Sequence, residues 1–403
     1  MENIQQDSTL IGINQIGLKS TRLEQTDNQD PCLGQKELQE SVLNKHLCTG
    51  CGACAGLCPY LIIYNDQTIM LHPCDLKQGR CYAFCPRTPT DYDAARKRLF
   101  DEKDLTPELG AVRGFCIARA RYKQNRKKAQ HGGTVSALMS LALQEGIIDT
   151  AIVSEGEENF LHHGIAVNDP TDIKKRGKSK FIVSPTVAEF NRTAAGNAQK
   201  IGIVATPCQA QALAKMRMKP IPTKESNIDK LNLVIGLFCG WALSWRRFTD
   251  ILQNMTTLEA ITGMDIPPGT KTLEIYTSDG ILSLPVDAIN SCIREACNYC
   301  IDSTAEFSDI SVGSARLPAS WDETRTWNQV IARSKRGQEL IDLARSKGVL
   351  EFRKVTEGCF EELKKAAVEK KKVALSRLMQ KSGSPEELIY LDSHDPVVKA
   401  IMG

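Results

Sequence analysis

No G-x-G-x-x-G run and no Walker lysine occur in the chain, so an ordinary Rossmann or P-loop site is not supported. A membrane-spanning run is missing too. The longest apolar stretch, Leu233 to Trp245, is interrupted by Cys239 and Gly240 and falls short of the ~20 residues a spanning helix needs. Membrane insertion is therefore not expected. The formal charge is only +3, which gives no global ground for a polyanionic partner such as nucleic acid. Met1 to Asp30 is polar and rich in Gln and Asn, without the basic-then-apolar order of a secretory leader. A cytoplasmic location is the expectation.

Cysteine, by contrast, is plentiful: fifteen in 403 residues. In a reducing compartment so many thiols read as metal ligands rather than as disulfide staples. A chain of this length with 42% hydrophobic residues can build two or three globular domains.

The thiols are densest between Cys48 and Cys85. The run Cys48-Thr-Gly-Cys51-Gly-Ala-Cys54-Ala-Gly-Leu-Cys58-Pro59 has the C-x2-C-x2-C-x3-C-P spacing with which bacterial-type ferredoxins hold cubane clusters. Three thiolates on one tight loop can grip one cluster only if the backbone curls closely around it. Gly50 and Gly52 permit that curl, because glycine accepts positive φ without steric cost. Zinc is the alternative, but it is usually held by paired knuckles. The partner half is irregular: Cys74 stands apart, and Cys81-Tyr-Ala-Phe-Cys85-Pro86 repeats only the C-x3-C-P ending. By the crossover of the fourth cysteine, Cys48, Cys51, Cys54 and Cys85 would make one complete set. Cys58, Cys74 and Cys81 would make a second, one thiolate short. Cys32, Cys116, Asp75 or solvent could complete it, or the cluster could carry three irons.

Along the chain, residues 1–40 read as a flexible lead and 41–112 as the ferredoxin-like module. Seven positive charges and no acid lie between Arg113 and Lys128. This stretch reads first as a solvated linker and second as a docking face for an acidic partner or an anionic cofactor. From Gly132 the pattern alternates between strand and helix. Thr150 to Ser154, Ile201 to Ala205 and Leu231 to Phe238 have the look of buried strands. Ala137 to Leu143, Gln209 to Arg217, Trp245 to Met255, Arg336 to Ser346 and Glu361 to Met379 read as helices. Ser278-Asp279-Gly280 marks a hairpin between Thr272 to Tyr276 and Ile281 to Pro285. The expected fold is an α/β or α+β body without internal repeats, preceded by the iron–sulfur module.

Gly132-Gly133-Thr134 at a helix start could cradle a phosphate, although a glycine pair there is more often only a turn. Cys292-x4-Cys297-x2-Cys300 could be half of a zinc knuckle. However, Cys208 and Cys239 each follow a buried strand, at the carboxyl ends where ligands gather in α/β sheets. Cys208, Cys239, Cys297 and Cys300 can therefore meet as a further cluster, with Cys292 as a spare. The alternative for Cys208 and Cys239 is the role of small buried hydrophobes.

Four stretches, standing in this order, carry a resemblance. They are Ala129-Gln-His-Gly-Gly-Thr134, Gly202-Ile-Val-Ala-Thr-Pro-Cys-Gln-Ala210, Val234-Ile-Gly-Leu-Phe-Cys239, and Cys297-Asn-Tyr-Cys-Ile-Asp302 with Ala305-Glu-Phe-Ser-Asp-Ile-Ser-Val-Gly313. Together they resemble the beta-subunit family of coenzyme F420 hydrogenases and dehydrogenases. The upstream module is similar to the branch that receives electrons from F420H2. The resemblance implies a flavin-binding body at 113–355, a C-terminal helical extension at 356–403, and an electron-transfer subunit using FAD with two or three iron–sulfur clusters, mainly 4Fe-4S. It implies flavin-phosphate contacts from Gly132, Gly133, Thr134 and Ser136, and further flavin contacts from Lys178, Lys180, Ser184 and Pro185. Thr206, Gln209, Asp309 and Ser311 would lie near the ring, and Cys208, Cys239, Cys297 and Cys300 would hold the flavin-proximal cluster. No side chain is singled out as catalytic. The expected partners are a small hydride carrier, coenzyme F420 or a similar molecule, and an oxidoreductase subunit in a complex. An adaptor working between ferredoxin or NAD(P)H and such a subunit, without F420, is the alternative. A zinc-binding interaction protein is a third reading.

Overall fold

The computed structural model describes residues 33–403 except 123–125, 127–128, 157–159, 177–180, 219–225 and 268. The expected lead is thus outside the described residues up to Cys32. Its last part is ordered, because Gln35–Leu38 forms a helical turn that buries Leu38.

The cysteine-rich segment contributes a short hairpin, β1 (Leu61–Tyr64) and β2 (Gln67–Met70), and the helix α1 (Tyr92–Leu99). The body begins with β3 (Gly114–Ala120), then α2 (Thr134–Gln144), β4 (Thr150–Gly156) and β5 (His162–Val167). It continues with α3 (Thr186–Ala194), β6 (Ile201–Ala205), α4 (Pro207–Met218), β7 (Leu231–Leu237) and α5 (Trp245–Gln253). A small antiparallel sheet follows, made of β8 (Ile261–Asp265), β9 (Thr272–Thr277) and β10 (Gly280–Pro285). The last elements are β11 (Ile310–Ser314), β12 (Asn328–Ala332), α6 (Lys335–Ser346), β13 (Leu350–Arg353), α7 (Cys359–Ser382) and α8 (Pro396–Met402).

Eight of these strands form one sheet in the order β13-β3-β12-β11-β7-β6-β4-β5. Its centre is parallel: β4 with β6, β6 with β7, and β7 with β11. Both faces are covered, which is why the central strands read as continuous apolar runs rather than as alternating ones. In β6, Ile201, Ile203 and Ala205 join the core beneath α3, α4, α7 and α8, while Val204 packs toward α2 and α6 on the other face. The charged stretch from Arg113 is not a linker, since most of its first half is β3, an internal strand. Arg113 pairs with Asp101 and Asp104, and Arg119 pairs with Glu351 while covering the Trp327 ring at 4.1 Å.

The cysteine-rich segment is not a separate bead. Cys51, Ala53 and Phe84 belong to the same buried cluster as α3, α4 and the β6 side chains. Gly50 and Gly52 have φ of 70° and 88°. A Cβ on Gly52 would lie 2.7 Å from the Ala188 backbone nitrogen in α3, so the loop can seat on α3 only as glycine. Opposite, the β1–β2 turn inserts Asp66 into the body. Its carboxylate accepts from Arg294 Nη1 at 2.5 Å and from the Trp245 backbone N–H at 3.0 Å, with only 4% and 7% of the two paired side chains exposed. Arg294 Nη2 also donates to the Cys48 carbonyl at 3.1 Å. The far end of the chain closes the arrangement, with Arg96 of α1 making a two-point contact to Asp395.

Replacing Arg294 by Met would strand the Asp66 charge in the interior, a loss of about 3–5 kcal/mol. Urea unfolding followed by circular dichroism should show that loss. A midpoint equal to that of the unaltered protein would mean the pair does not fasten the segment to the body.

Candidate iron–sulfur and cofactor site

Eleven of the fourteen described thiols fall into three sets. In the first, Cys48 and Cys54 both reach Thr68 of β2, with Sγ to Oγ1 distances of 3.6 and 3.4 Å. Burial pushes the Cys54 thiol well up, and the neighbouring Cys48, Cys51 and Cys85 sulfurs push it the same way. Cys51 is raised by burial and by Cys208 and Cys85. Cys85 is pushed up to about 11 by burial, opposed by Lys215. That lysine, 2% exposed, rises from α4 and donates to the carbonyls of Cys85 at 2.8 Å, Thr88 at 3.0 Å and Pro89 at 3.3 Å. It fixes the turn that brings Cys85 back to the loop.

The second set is Cys58, Cys74 and Cys81. Burial pushes Cys81 up to about 11, and its thiol neighbours are Cys58 and Cys74. Cys58 is exposed. Of the groups considered as a fourth donor, Cys116 is ruled out by place. It lies on β3 with Arg345 and Asp342 as its charged neighbours. Cys32 lies outside the described residues.

The third set gathers sulfur from three separate segments. Cys208 opens α4 just past β6, Cys239 follows β7, and Cys297 and Cys300 come from the turn after the small sheet. Burial raises the Cys239 thiol, with Cys297, Cys208 and Cys300 adding to the shift against Lys370. Burial likewise raises Cys208, whose sulfur neighbours are Cys300 and Cys297. Local bonds hold the positions. The Ala242 N–H points at Cys297 Sγ at 3.3 Å, the Cys239 N–H donates to the Ser303 carbonyl at 2.9 Å, and Cys208 Sγ meets Thr206 Oγ1 at 3.4 Å. Cys292 stands apart, buried with Leu243, Phe248 and Ile289 in the core of the small-sheet region. The first and third sets adjoin, since Cys208 of the third adds to the rise of Cys51 in the first.

The donor sets fit clusters. Thiols packed this deeply favour the neutral form, and a metal centre displaces the protons by supplying positive charge. Among the described residues, no three His, Cys, Asp or Glu groups close around a single-ion position. A single zinc ion needs a tighter shell of donors than this.

The residues expected near flavin divide into two places. Gln209 joins one of them: its Oε1 accepts the Thr206 N–H at 2.7 Å and the Thr206 hydroxyl at 3.0 Å, and its Nε2 donates to the Ser184 carbonyl. Ser184 Oγ is buried without a partner, and Pro185 caps α3. In the other place, Gly133 caps α2 with φ 74°. The Thr134 N–H donates to Asn328 Oδ1 at 3.3 Å and its hydroxyl to the Ala118 carbonyl at 3.3 Å. Ser136 follows in the same first turn. Asn328 begins β12 opposite Ser314, the last residue of β11. Both places therefore lie along the edge formed by the carboxyl ends of β6, β7 and β11. They are three strand spacings apart, roughly 14 Å.

Asp309 and Ser311 share no hydrogen bond with either place among the described residues. Asp309 accepts from the Val234 N–H at 2.8 Å and the Ser334 hydroxyl at 2.6 Å. Ser311 bonds Ser308 Oγ at 2.8 Å and accepts from Arg333 Nε at 2.6 Å. Both brace the sheet, and their polar atoms are occupied there. Lys178 and Lys180 lie outside the described residues.

A cavity of about 480 Å³ opens beyond β11, lined by Arg316, Leu317, Trp321, Thr324, Thr356 and Cys359 among others. That volume suits a small-molecule site. Trp321 Nε1, Thr324 Oγ1 and Thr356 Oγ1 are buried there without partners. The Trp321 ring stands 5.9 Å from that of His131, next to the glycine turn. Sequence reasoning missed these residues because no motif marks them, and they meet only in the fold.

An α/β sheet with thiol sets at its carboxyl edge, backed by a cysteine loop seated on α3, defines an iron–sulfur protein. A 4Fe-4S binding domain matches residues 42–64. The N-terminal and C-terminal parts of the coenzyme F420 hydrogenase/dehydrogenase beta subunit match residues 116–189 and 198–358, together more than half of the chain. The chain belongs to that family. It is 28% identical to a coenzyme F420 hydrogenase subunit beta of Methanothermobacter thermautotrophicus, over 62% of this chain and 87% of that protein. It is 27% identical to an F420H2 dehydrogenase subunit of Methanosarcina mazei, over 75% of this chain and 84% of that protein. Among solved structures, a chain of the xenon-derivatised F420-reducing [NiFe] hydrogenase complex from Methanosarcina barkeri superposes with a TM-score of 0.63 at 28% identity, covering 69% of this chain and 95% of that one. Among the described residues, no helix is long and apolar enough to cross a membrane.

Thr68 touches two sulfurs of the first set, and hydrogen bonds to sulfur help set cluster potentials. Thr68→Val, nearly isosteric, should leave iron content unchanged and lower the midpoint potential of one cluster in an EPR-monitored titration. Identical titration curves would remove Thr68 from any tuning role.

Proposed function

We propose that this chain is the electron-transfer subunit of an F420-type oxidoreductase complex, an FAD-dependent iron–sulfur protein. It takes reducing equivalents from reduced coenzyme F420 or a similar hydride carrier and passes electrons through 4Fe-4S clusters to a partner subunit. Family membership supports the reading, as do relatives named as hydrogenase and dehydrogenase subunits. The observation that carries it is the third set. Cys208, Cys239, Cys297 and Cys300 become neighbours beside the ferredoxin-like loop although they are scattered along the chain.

Bound flavin would supply the exchange between paired and single electrons, because a flavin holds two, one or none while clusters take one each. The chain's own residues do the rest. Cys48, Cys51, Cys54 and Cys85 would hold one cluster, Cys58, Cys74 and Cys81 a second with one ligand still to be assigned, and Cys208, Cys239, Cys297 and Cys300 the one nearest the flavin. The α2 turn offers first-turn amides and a helix dipole to the phosphates at Gly132, Gly133, Thr134 and Ser136. Ser184, Pro185, Thr206 and Gln209 would border the ring end of the same edge, beside Cys208. The unpartnered Trp321, Thr324 and Thr356 groups would take polar atoms of the cofactor or of the hydride carrier.

Anaerobically prepared protein should contain flavin and on the order of eight to twelve irons per chain, matched by sulfide, for two or three cubane clusters. Reduced F420 should bleach the flavin absorption. Bleaching by NAD(P)H or reduced ferredoxin but not by reduced F420 would support the adaptor role instead. Absence of flavin would sink both.

Cys239→Ala should remove about four irons per chain, one cubane, while the loop clusters remain. Unchanged iron content would separate Cys239 from the third set.

A further inference from the structure

Arg87 is among the most deeply buried side chains, 2% exposed. It stands two residues past Cys85, and its Nη2 donates to the carbonyl of Ala296, the residue before Cys297, at a long 3.4 Å. Its guanidinium therefore lies between the first and third thiol sets. Nε and Nη1 have no hydrogen-bond partner. Among the described residues no carboxylate comes within ion-pair distance of it.

A buried guanidinium without an anion is expensive. The Tyr390 ring beneath it, 4.5 Å from its central carbon, offsets only part of that cost. Tyr390 and Tyr92 cannot supply a negative charge, since each donates its hydroxyl proton to a carbonyl, those of Tyr299 at 2.7 Å and Pro86 at 3.2 Å. The sulfurs that interact electrostatically with Arg87 are Cys300 and Cys208 of the third set and Cys85 of the first. The other cations near the third set are already engaged: Lys370 donates to the carbonyls of Cys239 and Gly240, and Arg294 to Asp66 and the Cys48 carbonyl.

We propose that Arg87 is the built-in counter-ion of the cluster held by Cys208, Cys239, Cys297 and Cys300, and that its free Nε–H and Nη1–H donate to sulfur of that cluster. This rests on the reading that the third set binds a cluster. A cubane held by four thiolates is a net anion and gains one further negative charge on one-electron reduction. A fixed guanidinium stabilises the reduced form more than the oxidised one and raises the potential. Arg87 thereby makes this cluster a better acceptor and sets the step toward the Cys48, Cys51, Cys54 and Cys85 set.

The test uses the full-length holoprotein prepared anaerobically. Iron content and the cluster EPR signals of the unaltered protein first establish that the third set is loaded; their absence would overturn the cluster reading itself. Arg87→Gln at equal iron loading should make one-electron reduction of one cluster about tenfold less favourable, which is about 59 mV. Arg87→Lys, keeping the charge, should lose much less. Equal potentials in the unaltered protein and Arg87→Gln, or equal shifts in the two variants, would overturn the proposal and leave Arg87 a packing residue. A second readout needs no variant. Pulsed EPR of reduced protein grown with ¹⁵N-arginine should show ¹⁵N coupling to a cluster, and its absence in loaded protein would equally overturn the assignment.

Discussion

Ionising sulfur inside a protein core requires a counter-charge and enough hydrogen bonds to replace water, and this chain is arranged around that requirement. Its first and third thiol sets lie against one sheet, where burial raises Cys51, Cys54, Cys85, Cys208, Cys239 and Cys297 toward the protonated form. On the proposed reading, a metal centre replaces those protons. The cysteine loop must therefore be pressed onto the body rather than tethered to it. The devices that press it there are specific: Gly52, whose missing Cβ admits α3, the Asp66 turn held by Arg294, and Lys215 gathering the carbonyls of Cys85, Thr88 and Pro89. The C-terminal helices complete the enclosure, with Tyr390 and the Arg96–Asp395 pair closing the side away from the sheet.

Parts of this were legible in the sequence because local chemistry determined them. The spacing from Cys48 to Cys58 can fold in few ways around an inorganic core, and buried strands such as Ile201–Ala205 carry their own apolar signature. The crossover of Cys85 to the first loop and the gathering of Cys208 and Cys239 at strand ends follow from general rules of ferredoxin loops and parallel sheets. Arg87, Arg294 and Thr68 were not legible. Each matters through a partner far away in sequence, and an arginine after a Cys-Pro pair looks the same whether it points into solvent or between two thiol sets. Asp309 and Ser311 show the converse case. Their stretch resembles a family motif, yet its polar side chains are spent bracing β7, Ala305 and Arg333. The basic run from Arg113 misleads for a related reason. Charge at the ends of an internal strand looks like a solvated linker until the pairing partners Asp101, Asp104 and Glu351 are known.

The sheet also explains why two kinds of site can share one face. In parallel strands every carboxyl end opens on the same edge, so a residue just past β6 and another just past β7 become neighbours without any local motif. That edge carries Thr206 and Cys208 at one end and, beyond β11, the α2 turn and Asn328 at the other. An elongated ligand lying along it would touch the third thiol set at one end and a helix N-terminus at the other. The cavity past β11, with its unpartnered Trp321 and Thr324 groups, extends the same line.

The second thiol set is more exposed than the other two. Cys300 is buried beside the sheet, Cys51 is buried in the loop next to it, and Cys58 is exposed at the far side of the same loop. A charge on a cluster in the outer set is screened by water, whereas one in the inner set must be met by fixed groups. Cations stand by all three sets: Arg87 and Lys370 by the third, Lys215 and Arg87 by Cys85 of the first, and Arg80, which donates to the Leu57 carbonyl just before Cys58, by the second. On the proposed reading, single electrons would pass between the sheet edge and the outer set, and the exposed Cys58 would mark the side from which they leave for a partner.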